Sequence, residues 1–142
     1  MLALMGDPRA LMDRLTAAQN ARDLEGMLAC FHDDYRSEQP QFPARTFQGA
    51  DQVRANWSAM LDAVPDFHAE VLRTAVEGDV VFQEVHWTGT KADGTALDVR
   101  GVVIMGLRDG RLAWGRLYVD DVEAESPEID VVVRRMAGTD DA

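Results

Sequence analysis

Apolar residues recur with a helical period in three stretches of the first half of the chain. The spacing predicts a first helix over about 8–20 and a second, short helix that is capped by Asp23 and whose apolar stripe runs to Phe31. A third helix is predicted between Gly49 and Pro65, because apolar residues repeat there every three or four positions. Its stripe consists of Val53, Trp57, Met60, Leu61 and Val64.

The second half of the chain alternates between apolar and polar residues, which is the pattern of strands with one buried face. Glycine-containing turns at Gly78, Gly94 and Gly110 separate the runs and are typical of antiparallel hairpins. Before them, residues 35–48 predict a short strand and an irregular loop with two prolines. The four strand-like runs are 67–76, 80–90, 96–107 and 111–121. Helices followed by a meander of strands predict an α+β fold in which a curved sheet wraps three helices.

The length of 142 residues fits a single domain. We expect that domain to span 1–142, with a core over about 8–123 and a C-terminal extension over 124–142. Apolar residues at helical spacing favour a helix in the extension, with Ser126 as its N-cap, whereas its run of valines is also compatible with a strand. An amphipathic helix there would cover either the mouth of a pocket or a subunit interface.

The formal net charge of −11 disfavours nucleic-acid and membrane partners, because such a field repels phosphate groups. The apolar opening from Met1 to Met5 is too short for a signal peptide, and no stretch approaches the ~20 apolar residues of a membrane span. We therefore expect a cytoplasmic protein.

Neither a metal nor an organic cofactor is expected. The single cysteine, Cys30, lies in an apolar context that favours a buried thiol over a nucleophile. The three histidines are far apart in the sequence without metal-ligand spacing, and no phosphate-binding or dinucleotide-binding motif is present.

The order of these elements, together with several short motifs, resembles the ketosteroid isomerase-like and SnoaL-like families of the nuclear transport factor 2 superfamily. The motifs include Arg22-Asp23-Leu24-Glu25-Gly26, Phe31-His32-Asp33-Asp34, Trp87-Thr88-Gly89-Thr90 and Tyr118-Val119-Asp120, and the resemblance covers roughly 8–123. It implies a cone-shaped α+β barrel, in which three N-terminal helices pack on a mainly antiparallel sheet around a small-molecule pocket. The superfamily hosts enzymes as well as pure binding proteins, so the fold alone does not imply an activity.

The residues of two well-understood chemistries of this fold are missing. Where ketosteroid isomerases carry a carboxylate base, a tyrosine and a second acid, the resemblance places Gln39, Leu15 and Val103, unless the register differs by one and Glu38 is the base. Where limonene epoxide hydrolases carry a last-strand aspartate, it places Leu117.

The resemblance to SnoaL-like cyclases implies an acid/base aspartate near the end of the last strand, which Asp120 matches best. A carboxylate buried in an apolar cavity would have a raised pKa suited to that chemistry. The alternative is that Asp120 is a solvated strand end and that Glu38 is likewise on the surface. Asp120 and Glu38 are therefore the two candidate catalytic residues.

The resemblance, combined with strand alternation, also assigns the wall of the pocket. Gln83 and Trp87 would orient a ligand by hydrogen bonds, although both could instead be core residues. The expected pocket residues are Tyr35, Gln39, Phe42, Trp57, Gln83, Val85, Trp87, Val103, Met105 and Leu117.

The outer face of the predicted sheet carries the aromatic and basic residues that are favoured at interfaces. Folds of this group commonly dimerise through that face, so we expect a homodimer; the alternative is a solvated face. The residues concerned are Glu84, His86, Arg100, Trp114, Arg116 and Tyr118.

Two functions are consistent with the sequence. The first is a cofactor-free cyclase, isomerase or lyase that acts on a small apolar oxygenated metabolite. The second is a dimeric binding or sensing protein that holds such a ligand without chemistry. Whether a carboxylate opens into the cavity separates the two.

Overall fold

A computed structural model describes residues 6–139 of the chain; the opening segment 1–5, which the sequence marks as too short for a signal peptide, lies outside the described residues. The helices are α1 (Pro8–Asn20), α2 (Leu24–Leu28), α3 (Ala50–Ala63) and α4 (Ile129–Ala137). The strands are β1 (Phe31–Glu38), β2 (Phe47–Gln48), β3 (His68–Glu77), β4 (Val80–Thr90), β5 (Ala96–Arg108) and β6 (Arg111–Asp121). The α+β architecture predicted from the sequence is confirmed.

The predicted first and third helices and the four long strands are confirmed to within two residues at each end. The predicted second helix is wrong at its end: α2 stops at Leu28, and Phe31 is the first residue of β1. Phe31 fits the helical stripe, but it pairs with Leu112 of β6 and is buried in the sheet. Strand pairing therefore overrides the local helical period.

The six strands form one sheet in the order β2-β1-β6-β5-β4-β3. The β1–β6 pair is parallel and the others are antiparallel, which is the curved, mainly antiparallel sheet that the sequence predicts. Across β4, β5 and β6, Gln83 pairs with Val103 and Val103 with Leu117, so these three residues share the inner face. The alternate residues of the same strands form the outer face.

α1 lies against β3 at one edge of the sheet, and the side chain of Asn20 makes the connection. Its amide NH2 donates to the Ala69 carbonyl at 2.9 Å, while its carbonyl oxygen accepts from the Ala69 N–H at 2.7 Å. Asn20 thereby occupies the place of a neighbouring strand and satisfies backbone groups that an edge strand otherwise leaves open.

Arg22 ties the end of α3 to the loop that follows α1. Its guanidinium donates to the carbonyl oxygens of Leu61, Val64 and Pro65, the last at 2.9 Å. The Leu61 carbonyl belongs to the final turn of α3 and the other two follow the helix directly, where intrahelical donors run out and a positive charge is favourable. α1 and α3 are thus fixed relative to each other above the inner face of the sheet.

The C-terminal extension forms a helix and not a strand. α4 begins one residue after its N-cap Glu128 and ends at Gly138 in the left-handed conformation, so the expected cap at Ser126 is wrong by two residues. Its apolar side chains remain exposed, with Ile129 at 71%, Val133 at 54% and Met136 at 83%. Of the helices in residues 6–139, none combines the length and apolar character needed to cross a membrane.

Candidate functional site

A cavity of about 130 Å³ lies between the inner face of the sheet and helices α1 and α3. Side chains from both helices and from all six strands contribute to its wall. The lining residues are Met12, Leu15, Thr16, Gln19, Phe31, Tyr35, Ser37, Gln39, Phe47, Val53, Asn56, Trp57, Ala69, Val71, Gln83, Val85, Trp87, Val103, Met105 and Leu117.

Nine of the ten residues predicted for the pocket lie on this wall, and Phe42 does not. Phe42 precedes a short 3₁₀ turn, where the Arg45 guanidinium stacks 3.9 Å above its ring. That cation–π contact keeps the ring half-buried in the loop and away from the cavity. The role of the other nine in binding a ligand stays a prediction.

Neither of the two candidate catalytic carboxylates reaches the cavity. Glu38 alternates with the buried Ser37 on β1 and therefore lies on the outer face, where it accepts a hydrogen bond from Arg36 at 3.2 Å. Asp120 shares the outer face of β6 with Arg116 and is exposed; its carboxylate accepts from the backbone N–H of Asp121 at 2.8 Å. The expectation that one of them acts inside the pocket is not supported by their positions.

The wall is neutral. Among the described residues that line the cavity there is no Asp, Glu, His, Lys, Arg or Cys. Tyr35 is the one lining residue with a titratable side chain; burial raises its pKa from 10.0 to about 12, and the Ser37 side chain partly offsets that rise. At neutral pH Tyr35 therefore acts as a hydrogen-bond donor and is a poor proton acceptor.

Three glutamine amides, the amide of Asn56 and two hydroxyls supply most of the remaining polarity. The Gln83 amide NH2 donates to Thr74 Oγ1 at 3.1 Å, although Gln83 is only 1% exposed. Gln39 Oε1 accepts from Arg45 at 3.0 Å, which holds that amide at the edge of the proline loop. Gln83 is thus fixed within the wall and Gln39 at its rim. Gln19, Thr16 and Ser37 complete this polar set.

Two aromatic clusters contribute side chains to the cavity wall. Trp57 of α3 meets Phe67 edge-on at 5.3 Å between ring centroids and Trp87 at 6.0 Å. On the β1 side, Tyr35 meets Phe31 at 4.8 Å in the same edge-on manner. Such clusters are stiff and apolar, so they shape a pocket for a flat or compact ligand.

The three positions that the family resemblance matches to catalytic residues all lie on the wall. Gln39, Leu15 and Val103 each line the cavity, so the alignment by motif placed them in the correct part of the fold. Their side chains are an amide and two hydrocarbons, which can neither abstract a proton nor stabilise an enolate. Leu117, at the position matched to the epoxide hydrolase aspartate, also lines the cavity without a charge.

Sequence reasoning missed the contribution of α1 and of Ser37. Met12, Thr16 and Gln19 form a second stripe of α1, offset by one position from the apolar stripe that predicts the helix. The spacing of three and four residues between them is the sequence pattern from which this stripe could have been predicted. Ser37 has the same parity as Tyr35 on β1, so strand alternation carried that signal as well.

The six residues expected at an interface share the outer face of the sheet. The register aligns Glu84 with Val102 and Val102 with Tyr118 in one row across three strands. The neighbouring row contains His86, whose Nε2 lies 2.7 Å from Asp98 Oδ1, next to Arg100. Further along β6, Arg116 and Trp114 form a cation–π contact at 5.8 Å.

Cys30 is buried against the end of α2, as the sequence predicts. Burial raises the pKa of its thiol, which is only partly countered by the nearby charge of Arg14, and its Sγ lies 3.6 Å from the Gly26 carbonyl. A thiol with a raised pKa is a poor nucleophile. Within residues 6–139, no three His, Cys, Asp or Glu side chains converge so that they could hold a metal ion.

A profile of the SnoaL-like domain matches residues 12–115. No curated protein sequence matches the chain. Solved structures do: AclR of Streptomyces galilaeus, provisionally assigned as a hydroxylase, is 22% identical over 82% of this chain and 90% of AclR, with a TM-score of 0.70.

Two further structures extend that likeness. A protein of Kribbella flavida DSM 17836, provisionally assigned as a ketosteroid isomerase, is 21% identical over 87% of this chain and 85% of its own, with a TM-score of 0.68. A cystatin-fold protein of Novosphingobium aromaticivorans is 22% identical over 75% of this chain and 92% of its own, with a TM-score of 0.62. At these identities the likeness establishes a shared fold.

Proposed function

The chain belongs to the SnoaL-like domain family, and from this membership and the neutral cavity we propose that it binds a small, uncharged, largely apolar oxygenated metabolite. The observation that carries the proposal is the composition of the wall. A charged ligand would lose its hydration there without meeting an opposite charge, which is costly. Hydrocarbon and aromatic side chains with a few hydrogen-bonding groups suit a neutral ligand.

The size of the cavity limits the ligand. A protein cavity of roughly 150 Å³ accepts a molecule the size of benzene, and the cavity here measures about 130 Å³. A steroid or a fused polycycle would require the wall to open. The ligand we propose therefore contains a single ring, or an aliphatic skeleton of similar size.

Binding without chemistry is favoured over catalysis by the positions of the acids. Cyclases, isomerases and lyases that work without a cofactor need a group that takes up a proton near neutral pH. Glu38 and Asp120 lie on the outer face, and Tyr35 has a pKa of about 12. The second candidate function remains a cofactor-free cyclase, isomerase or lyase in which the Tyr35 hydroxyl supplies a proton or polarises a carbonyl group.

Native mass spectrometry of the purified protein tests the proposal. We expect a neutral adduct on the order of 100 Da that is lost on denaturation. Val103→Phe, which fills the cavity from β5, should abolish the adduct, whereas the adjacent Val102→Phe, on the outer face, should retain it. An adduct that survives Val103→Phe, or a wild-type protein that neither carries an adduct nor is stabilised by single-ring neutral compounds, would refute it.

Incubation with the identified ligand then distinguishes the two candidates. A binding protein returns the ligand unchanged, whereas an isomerase, cyclase or lyase produces a species with a new chromatographic position. If product forms and Tyr35→Phe abolishes it while the ligand still binds, the second candidate replaces the first.

We also propose that two copies associate through the outer face of the sheet. Exposed Val102 and Tyr118 provide its apolar centre, and Arg100 and Arg116 balance the acids around it, whereas the formal net charge of the whole chain is −11. Two copies would repel each other least at this face. Light scattering should give a mass of about twice the 15.7 kDa of a single chain. Tyr118→Glu should reduce that mass to the mass of one chain.

A further inference from the structure

The Tyr35 hydroxyl is a strong donor with a weak acceptor. The residue is 3% exposed, and its O–H donates to the thioether sulfur of Met105 at 3.7 Å. A thioether sulfur accepts hydrogen bonds poorly. A hydroxyl that has left water for such a partner recovers only part of the hydrogen-bond energy it has lost. A better acceptor in the cavity would restore it.

Ser37 is the polar neighbour of this hydroxyl on β1. It is two residues further along the same strand face and is 4% exposed, so both side chains point to the inner side of the sheet. Its hydroxyl also lowers the pKa of the Tyr35 phenol, against the larger effect of burial. Ser37 is therefore placed to hold the phenol oxygen in position.

The space around the hydroxyl is left open by Gly115. A Cβ atom at Gly115 would lie 2.2 Å from the Tyr35 oxygen and 2.6 Å from the Met105 sulfur, so only glycine allows both groups their positions. Tyr35 and Met105 both line the cavity. Met105 is unbranched, and its side chain can yield the position next to the hydroxyl at little cost.

We propose that the Tyr35 hydroxyl binds a carbonyl oxygen of the ligand, which replaces the Met105 sulfur as its acceptor, with Ser37 as a positioning residue. This inference rests on the proposed function and makes the ligand class specific: a neutral single-ring ketone, aldehyde or ester. An aliphatic amine is protonated at neutral pH, so it has no lone pair to accept from the Tyr35 hydroxyl and brings a charge to a neutral wall. A hydrocarbon fits the cavity, but the Tyr35 hydroxyl then keeps the Met105 sulfur as its acceptor.

A pair of probes of equal shape tests the proposal. Cyclohexanone has a C=O group where methylenecyclohexane has a C=CH2 group. Quenching of the fluorescence of Trp57 and Trp87, which line the cavity, reports the binding of each probe. With Tyr35→Phe, we expect cyclohexanone to bind about three- to tenfold more weakly, the effect of one hydrogen bond, while methylenecyclohexane changes less than about twofold. Ser37→Ala should produce part of the same selective loss.

The chain provides a matched control in its other tyrosine. Tyr118 lies on the outer face, so Tyr118→Phe should leave both dissociation constants unchanged. If Tyr35→Phe weakens both probes equally, or neither, the assignment to a carbonyl oxygen is wrong while the proposed function stands. If neither probe binds the wild-type protein, the proposed function fails and this inference fails with it.

A measurement on the unaltered protein covers the case in which Tyr35→Phe does not fold. The infrared carbonyl stretch of bound cyclohexanone should lie below its position in a hydrocarbon solvent, because a phenol hydrogen bond weakens the C=O bond. A bound ketone whose stretch matches that in the hydrocarbon would overturn the proposal without any variant.

Discussion

Gly115 of β6 lies directly against the Tyr35 hydroxyl of β1, in a space that admits no side chain. The two strands are neighbours in the sheet, with Gly115 paired to Ser37, the residue that hydrogen-bonds to Tyr35. A methyl group at Gly115 would meet the hydroxyl oxygen at 2.2 Å. The donor of the cavity is therefore positioned by a glycine on the next strand as well as by its own strand.

Gly115→Ala should move the Tyr35 hydroxyl and the Met105 sulfur together. We expect a loss of about 1–3 kcal/mol in the free energy of unfolding from overpacking, and a weakening of cyclohexanone binding similar to that of Tyr35→Phe. Urea unfolding and fluorescence titration measure the two effects. Gly106→Ala is the control, because its Cβ would meet the Trp114 indole at 2.0 Å on the outer face. It should destabilise the protein and leave ketone binding intact; an intact ketone site in Gly115→Ala would contradict the assignment.

The buried phenol of Tyr35 should make the fold sensitive to alkali. Because burial raises its pKa to about 12 from an ordinary value of 10.0, the native state holds the proton that the unfolded chain releases. The stability contributed by the neutral phenol is complete below pH 10 and is lost as the pH rises from about 10 to 12, by up to a few kcal/mol. Urea unfolding at several pH values should show this decline in the wild type and a smaller one in Tyr35→Phe. Equal declines in both proteins would place the alkaline sensitivity elsewhere.

The fold could be predicted from the sequence because local and tertiary preferences agree over most of the chain. Gly49 and Pro65 bound α3, and alternation along β4 put Gln83 and Trp87 on one face, which the family resemblance placed inside, where the structure has them. The end of α2 could not be predicted. Phe31 and Tyr35 are four residues apart, a spacing that fits one helix face and one strand face equally well. Pairing with β6 decides between them.

The candidate site, like the fold, could be predicted only in part from the sequence. Wall positions follow from strand parity, so most were assigned correctly, and the same parity places Asp120 with Arg116 on the outer face. The family resemblance pointed inward for Asp120, and the alternative of a solvated strand end agrees with its exposed position. The importance of the Tyr35 hydroxyl could not be read from the sequence, because it depends on Met105 and Gly115, which lie 70 and 80 positions away in the chain.

Asn20 should be a main anchor of the β3 edge. Its amide both donates to and accepts from Ala69, so Asn20→Ala removes two hydrogen bonds and should lower the free energy of unfolding by about 1–3 kcal/mol. Asn20→Asp keeps the acceptor for the Ala69 N–H but loses the donor to its carbonyl, and should fall between the wild type and Asn20→Ala. Urea midpoints rank the three proteins. An Asn20→Ala midpoint equal to that of the wild type would show that water replaces the amide without loss.

α4 should contribute little to the stability of an isolated chain. A nine-residue helix is marginal in water on its own, and the side chain of Met136 is 83% exposed. Met136→Ala should therefore change the free energy of unfolding by less than about 0.5 kcal/mol. The matched variant is Met27→Ala: Met27 is 0% exposed, and the same truncation there should cost about 2–5 kcal/mol. Both values come from urea unfolding at low protein concentration. If Met136→Ala proves as costly as Met27→Ala, and the cost grows with protein concentration, the apolar face of α4 packs against a second copy of the chain.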